Sequence, residues 1–143
     1  MKTNIEQARE RMKASGFKMT PKRLDLLSYL FEVNRYVSAR EVAEALRTSH
    51  PSLSYDTIYR NLNDFSEIDL LEVTELDGEM KYRAACASGH HHHHLICRIC
   101  GKTETLNVCP MEWISPAQET GFEVEDHKFE IYGRCANCQR LTS

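Results

Sequence analysis

The sequence has no run of 18 or more apolar residues, so it implies no helical membrane span. Its opening residues, MKTNIEQARERMKASG, lack the apolar core of a secretory leader, and a cytoplasmic protein is expected. Without support for secretion, its six cysteines point to metal rather than to three disulfides. It also lacks a His-Glu-x-x-His helix and any His-x-Glu paired with Pro-Cys-x-x-Cys. A zinc hydrolase needs an open coordination position and a placed carboxylate base. Glu112, Glu123, Glu125 and Asp126 could serve as bases, but the histidines crowd one strand and no oxyanion donors accompany them. No enzyme activity and no small-molecule substrate are therefore expected. Apolar content is modest too, at 41% of 143 residues. That suffices for one ordinary domain or two very small ones, and two half-size units would each need help from metal or oligomerisation.

What the chain has instead is a concentration of imidazole and thiol. His90 to His94 run almost directly into Cys97-Arg98-Ile99-Cys100, and 34 residues separate this pair from a second, Cys135 and Cys138. Two such knuckles can supply four thiolates to one tetrahedral zinc, a closed site that contributes folding energy rather than hydrolysis. The segment from His90 to Cys97 reads as extended. Strand period then puts His90, His92 and His94 on one face and His91 and His93 on the other, so two sites can draw on one strand. Cys86 lies just before the histidines at a hinge position, and Cys109, preceding Pro110 in a turn, reads as an idle thiol.

Charge divides unevenly. Residues 1–60 carry 11 Lys/Arg against 7 Asp/Glu, whereas the remainder carries 7 against 14. A basic half beside an acidic, ligand-rich half suits a division of labour between nucleic acid and metal. In the basic half, Ile5, Ala8 and Met12 space a short helix ended by Gly16. Thr20-Pro21 starts a second helix, Ser38-Ala39-Arg40-Glu41 is a capping box for a third, and Ser54 caps a fourth running to about Glu67. His50 reads as a loop histidine. Leu71, Val73, Met80 and Tyr82 flank Leu76-Asp77-Gly78 as a hairpin. Helices followed by a hairpin make a winged helix-turn-helix, with the helix from Ser54 for recognition. From it Tyr55, Thr57, Tyr59, Arg60 and Asn61 could reach phosphates or base edges. A generic helical bundle with a hairpin fits the same pattern. Beyond the histidines we expect strands over 102–106 and 122–132 and a helix over 111–119, a small unit whose apolar edge a second subunit would complete.

His91-His92-His93-His94-Leu95-Ile96-Cys97-x-x-Cys100-Gly101-Lys102 resembles the signature of the ferric uptake regulator family. So do Thr20-x-x-Arg23, Ser54-x-Asp56-Thr57-Ile58-Tyr59-Arg60-Asn61-Leu62 and Cys135-x-x-Cys138. Within it, Cys109-Pro110-Met111 and His127-Lys128-Phe129-Glu130-Ile131-Tyr132-Gly133 look most like the zinc uptake regulator branch of Gram-positive bacteria. The resemblance implies an α+β protein. It would comprise a winged-helix DNA-binding domain over 1–84, a hinge over 85–89 and a metal-binding dimerisation domain over 90–143. It implies a homodimer on double-stranded inverted-repeat DNA, repressing zinc uptake genes when loaded with zinc, with Arg23 joining the DNA-binding residues. It further implies a structural Zn2+ on Cys97, Cys100, Cys135 and Cys138. A regulatory Zn2+ would lie on Cys86, His92, His94 and an acidic residue, Glu72 with Asp69 in reserve. An auxiliary site would use His91, His93, Glu112 and His127. The chain departs from iron and peroxide sensors in having Tyr36 where they draw a histidine, and Cys86 near where they place a carboxylate. Thiolate plus imidazole favours zinc over iron(II). The alternatives are an iron-, manganese-, nickel- or peroxide-responsive repressor, or a zinc-buffering protein that does not bind DNA.

Overall fold

The computed structural model describes residues 4–85, 92–113 and 120–142. The chain divides into two compact units, Met1–Gly89 and His90–Ser143. The expected hinge over 85–89 lies, apart from Ala85, outside the described residues.

The first unit is built by local signals that cap its helices in turn. Helix α1 spans Asn4–Ala14. Helix α2 spans Pro21–Val33, where the Thr20 side chain accepts the Arg23 N–H and Asn34, at φ 49°, ends the helix in the left-handed region. Helix α3, Ala39–Leu46, opens with a complete Ser38–Glu41 capping box. Helix α4, Tyr55–Glu67, is capped by Ser54. Such a cap is worth about 1 kcal/mol. Ile58, Leu62 and Phe65 recur along one face of α4, and all are at most 1% exposed. They meet Leu26, Leu27 and Leu30 of α2, Val42 of α3 and Met12 of α1 in one core.

Strands β1, Leu71–Leu76, and β2, Glu79–Ala84, pair antiparallel around Asp77 and Gly78. Both turn residues have positive φ, 53° and 82°, the two-residue turn whose twist matches the strands. Val37 joins β2 through a reciprocal pair of hydrogen bonds with Tyr82, at 2.9 and 2.8 Å. This ties the hairpin to the helices, and the result is a winged helix-turn-helix.

The second unit is a small α+β assembly. Strand β3, His93–Cys97, lies between β4, Thr103–Leu106, which is antiparallel to it, and β5, Glu130–Gly133, which is parallel. A seven-residue helix α5, Ala136–Thr142, ends the described chain. One expectation requires correction. Strand pairing over 122–132 begins only at Glu130, because Phe122 and Val124 are exposed and find no partner strand among the described residues. Of the helix expected over 111–119, the described residues show a 3-10 turn over Pro110–Glu112, and residues 114–119 lie outside them. Helix α5 was not anticipated. No helix among the described residues is long and apolar enough to cross a membrane.

Because Leu62 is fully buried in the core of the first unit, Leu62→Ala should destabilise that unit by about 2–5 kcal/mol, read by chemical denaturation. A change below about 1 kcal/mol would contradict this packing.

Candidate metal centres and nucleic-acid interface

The end of β3 carries its chain into a tight turn. Gly101, at φ 80°, donates to the Cys97 carbonyl at 3.0 Å, and Cys97 N–H donates to Lys102 O at 2.8 Å. The turn faces Cys97 and Cys100 inward. From the neighbouring β5, Cys135 precedes α5 and Cys138 lies in its first turn, with Gln139 N–H donating to Cys135 O at 3.0 Å. The four sulfurs lie within 4.8 Å of one another, with Cys100 Sγ and Cys135 Sγ 3.7 Å apart. A tetrahedral zinc with bonds of about 2.3 Å holds its sulfurs about 3.8 Å apart, so the donor set fits that ion. Burial works against ionising Cys97, but backbone hydrogen bonds at Cys100, Cys135 and Ile99 bring its thiol down to about 6. Cys138 is pushed up to about 12, first by its hydrogen bond with Cys135. Cys135 is likewise held below its ordinary range by its backbone hydrogen bond at Cys138, while burial raises Cys100, so the cluster pairs two thiols that ionise readily with two that give up protons to a metal.

The other end of β3 carries a second cluster. His93 Nδ1 donates to the Phe129 carbonyl at 3.1 Å, which leaves Nε2 as the acceptor nitrogen. That Nε2 lies 3.3 Å from His127 Nε2, and His127 Nε2 lies 3.3 Å from Cys109 Sγ. The His93 ring stands edge-on to Phe129 at 5.5 Å and is 6% exposed. Of the expected auxiliary ligands, the structure therefore brings His93 and His127 together. Glu112 is exposed and outside the group, and His91 lies outside the described residues. Cys109, read from the sequence as idle, stands in the group instead. Its position beside Pro110 and Glu112 was the available signal, but its approach to His127 is a tertiary contact that spacing does not reveal.

The expected regulatory ligands are distributed over both units. Glu72 lies on β1, where its carboxylate pairs with Arg83 at 3.3 Å. Arg83 also donates to Asn34 Oδ1 at 3.1 Å and lies over the Tyr36 ring at 5.9 Å. His94 is buried within β3, and His92 precedes that strand half-buried. Cys86 lies outside the described residues. Asp69, the reserve ligand, is exposed at positive φ, and its carbonyl accepts from Arg11.

On α4, Tyr55 and Tyr59 are exposed and stack edge-to-face at 5.1 Å. Their hydrogen bond raises the Tyr59 phenol above its ordinary range, which favours the protonated form able to donate. Arg60 is exposed and pairs one turn back with Asp56 at 2.9 Å. Such an exposed pair is worth about 0.3–0.5 kcal/mol, so it yields readily to a phosphate. Thr57 supplies the N–H that Ser54 caps and shares a hydrogen bond between their hydroxyls. Arg23 and Asn61, also expected at the DNA, meet each other within the unit. Asn61 is 8% exposed and accepts from Arg23 Nε at 3.1 Å. Arg23 also donates to Lys18 O at 2.6 Å and lies 5.5 Å over Phe17. The pair braces α4 against the start of α2, because both polar ends find partners inside the unit.

A family model described as the ferric uptake regulator family matches residues 14–132. The chain is 42% identical over 137 residues to the ferric uptake regulation protein of Staphylococcus epidermidis, covering 96% of this chain and 97% of that one. That relative carries the iron name rather than that of the expected zinc branch. A solved ferric uptake regulator from Francisella tularensis with iron superposes with a TM-score of 0.66 at 29% identity, covering 87% and 96% of the two chains. A structure described as a zinc uptake regulator complexed with zinc and DNA gives 0.73 at 23% identity, covering 99% and 98%, a likeness of fold.

Cys135→Ser should remove the zinc retained by this cluster under stringent chelation and lower the melting temperature of the second unit, measured by elemental analysis and calorimetry. Unchanged retention and melting would contradict a metal role. The pH dependence of zinc affinity should steepen below about 6, where Cys97 must also give up a proton to bind.

Proposed function

The chain belongs to the ferric uptake regulator family, and from that premise we propose that it is a metal-responsive DNA-binding repressor acting as a dimer, with zinc as its metal. The observation that carries the repressor reading is the pairing, in one chain, of a winged helix-turn-helix presenting Tyr55, Tyr59 and Arg60 with a second unit built from metal donors. The apolar side chains Leu95, Ile131 and Tyr132, 40–45% exposed on β3 and β5, support a second copy as the partner of the second unit. A two-fold protein reads an inverted repeat.

Zinc is favoured by the donor chemistry. Thiolate with imidazole suits it better than iron(II), which carboxylate-rich sites serve. The regulatory ion is assigned to Cys86, His92, His94 and Glu72, and an auxiliary one to the end of β3. The iron-responsive reading stands as the second one, and a specific finding favours it: the curated relative at 42% identity is named for ferric uptake.

In the proposed mechanism the metal selects one arrangement of the two winged helices. Without it they sample orientations that cannot both enter the major groove. With it, the wing (Glu72), the linker (Cys86) and the strand (His92, His94) are tied together. The metal must bind the closed arrangement more tightly for this to work. A coupling of about 1–3 kcal/mol changes DNA affinity about 5–150-fold. Repressed genes would encode uptake of the sensed metal. Arg83 pairs with Glu72 at 3.3 Å, so this carboxylate would exchange an ion pair for the metal on binding it.

The test titrates full-length protein anaerobically with Zn(II), Fe(II) or Mn(II) while following binding to an inverted-repeat duplex selected from a random pool. Zinc should promote binding at the lowest free concentration. Promotion by iron alone would replace this reading with the iron one, and zinc binding with no preference for the repeat would indicate a zinc buffer. Arg60→Ala should weaken the complex by about 1–3 kcal/mol and make it less salt-sensitive. Cys86→Ser should keep the four-cysteine zinc yet lose metal-stimulated binding, whereas His91→Ala should do less. A normal response from Cys86→Ser would remove the hinge from the mechanism.

A further inference from the structure

We propose that Cys109 is a metal ligand, completing with His93 and His127 a thiolate–imidazole site that selects zinc over harder ions. This goes beyond the repressor reading and deepens its account of the auxiliary ion.

Three observations support the site. The first is its dimensions. A tetrahedral zinc with Zn–N bonds of about 2.0–2.1 Å and a Zn–S bond of about 2.3 Å sets two nitrogens about 3.3 Å apart and nitrogen from sulfur about 3.6 Å apart. The two Nε2 atoms are 3.3 Å apart, and Cys109 Sγ is 3.3 Å from His127 Nε2. The second is His127 Nε2 itself, which meets both a sulfur and a nitrogen. One ring nitrogen carries either one proton or one lone pair, so it cannot make a directed hydrogen bond to both. A cation among the three donors satisfies all of them at once. The third is the orientation of His93. Its Nδ1–H is spent on Phe129 O, which fixes the tautomer and aims the Nε2 lone pair into the cluster. Metal-bound histidines are oriented by this kind of outer contact.

The thiol sets the selectivity. Glu112 is exposed, and among the described residues no carboxylate joins the cluster. A carboxylate in this position would suit manganese or iron(II). A thiolate favours zinc. Binding releases the Cys109 proton to solvent as the sulfur–metal bond forms, and no electron changes hands.

The test is cysteine alkylation of the full-length protein, already carrying its four-cysteine zinc, with each labelled position mapped by mass spectrometry. Saturating zinc should abolish labelling of Cys109, because a sulfur held by the ion is no longer the free thiolate that the reagent attacks. Manganese at the same free concentration should protect far less. His127→Ala should abolish the protection, and His92→Ala should retain it. A Cys109 labelling rate indifferent to zinc would overturn the proposal. So would protection that survives His127→Ala or disappears in His92→Ala, because it would then arise from a general closure of the chain. Cys109→Asp should shift the metal preference of the site towards manganese, and an unchanged zinc-to-manganese ratio would also overturn it. Labelling needs no DNA. Loss of operator response with intact protection would therefore count against the repressor reading, and loss of protection with intact operator response would count against the ligand.

Discussion

Four sulfurs drawn from two neighbouring strand ends constrain everything in the second unit. Among the described residues, the first unit has a core of fifteen buried side chains. In the second, the buried hydrophobic residues among those described are Ile96, Cys97 and Cys138. Burying a large apolar side chain contributes about 1.5–3 kcal/mol. Backbone ordering costs about 1–2 kcal/mol per residue, so three such residues cannot fix a sheet and helix of this length. A structural zinc contributes about 10–16 kcal/mol in apparent binding energy. In the proposed zinc-loaded dimer, metal–thiolate bonds join β3, β5 and α5, and the second copy adds the burial of Leu95, Ile131 and Tyr132.

The same strand serves two donor groups because of its length. His93 opens β3 and Cys97 closes it. Four residues of strand separate their Cα atoms by about 13 Å, too far for one ion to use both. Each group is completed from the chain that follows β4. His127 comes just before β5 and Cys135 just after it. The parallel β3–β5 register, which sets His94 opposite Glu130 and Cys97 opposite Gly133, places both sets of ligands in one step. A slip of that register would part both donor groups together, which couples folding of the unit to the metal chemistry proposed for it.

Signals carried within a few residues were legible in the sequence. Thr20-Pro21, the Ser38–Glu41 box and Ser54 cap the helices they announce. Asp77-Gly78 forms the expected turn. The two Cys-x-x-Cys pairs meet because their spacing is itself the coordination chemistry. Features that depend on distant partners were not legible. Alternation over 122–132 suggested a strand, but alternation reports a period and not a neighbour, and Phe122 is 73% exposed. Helix α5 has little apolar stripe to advertise it. Asn61 and Arg23, 38 residues apart, spend their polar groups on each other, and Cys109 meets His127 across 18 residues. Each of these is a tertiary contact that overrides what the residue type suggests alone.

The most direct test of the central claim is hydrogen exchange, followed by mass spectrometry, on zinc-loaded and exhaustively chelated protein. The account predicts that chelation strips protection from β3, β5 and α5 while the amides of α2 and α4, buried in an apolar core, keep theirs. Retained protection throughout 93–97 and 130–142 after zinc removal would contradict it, because the second unit would then hold its fold without the metal.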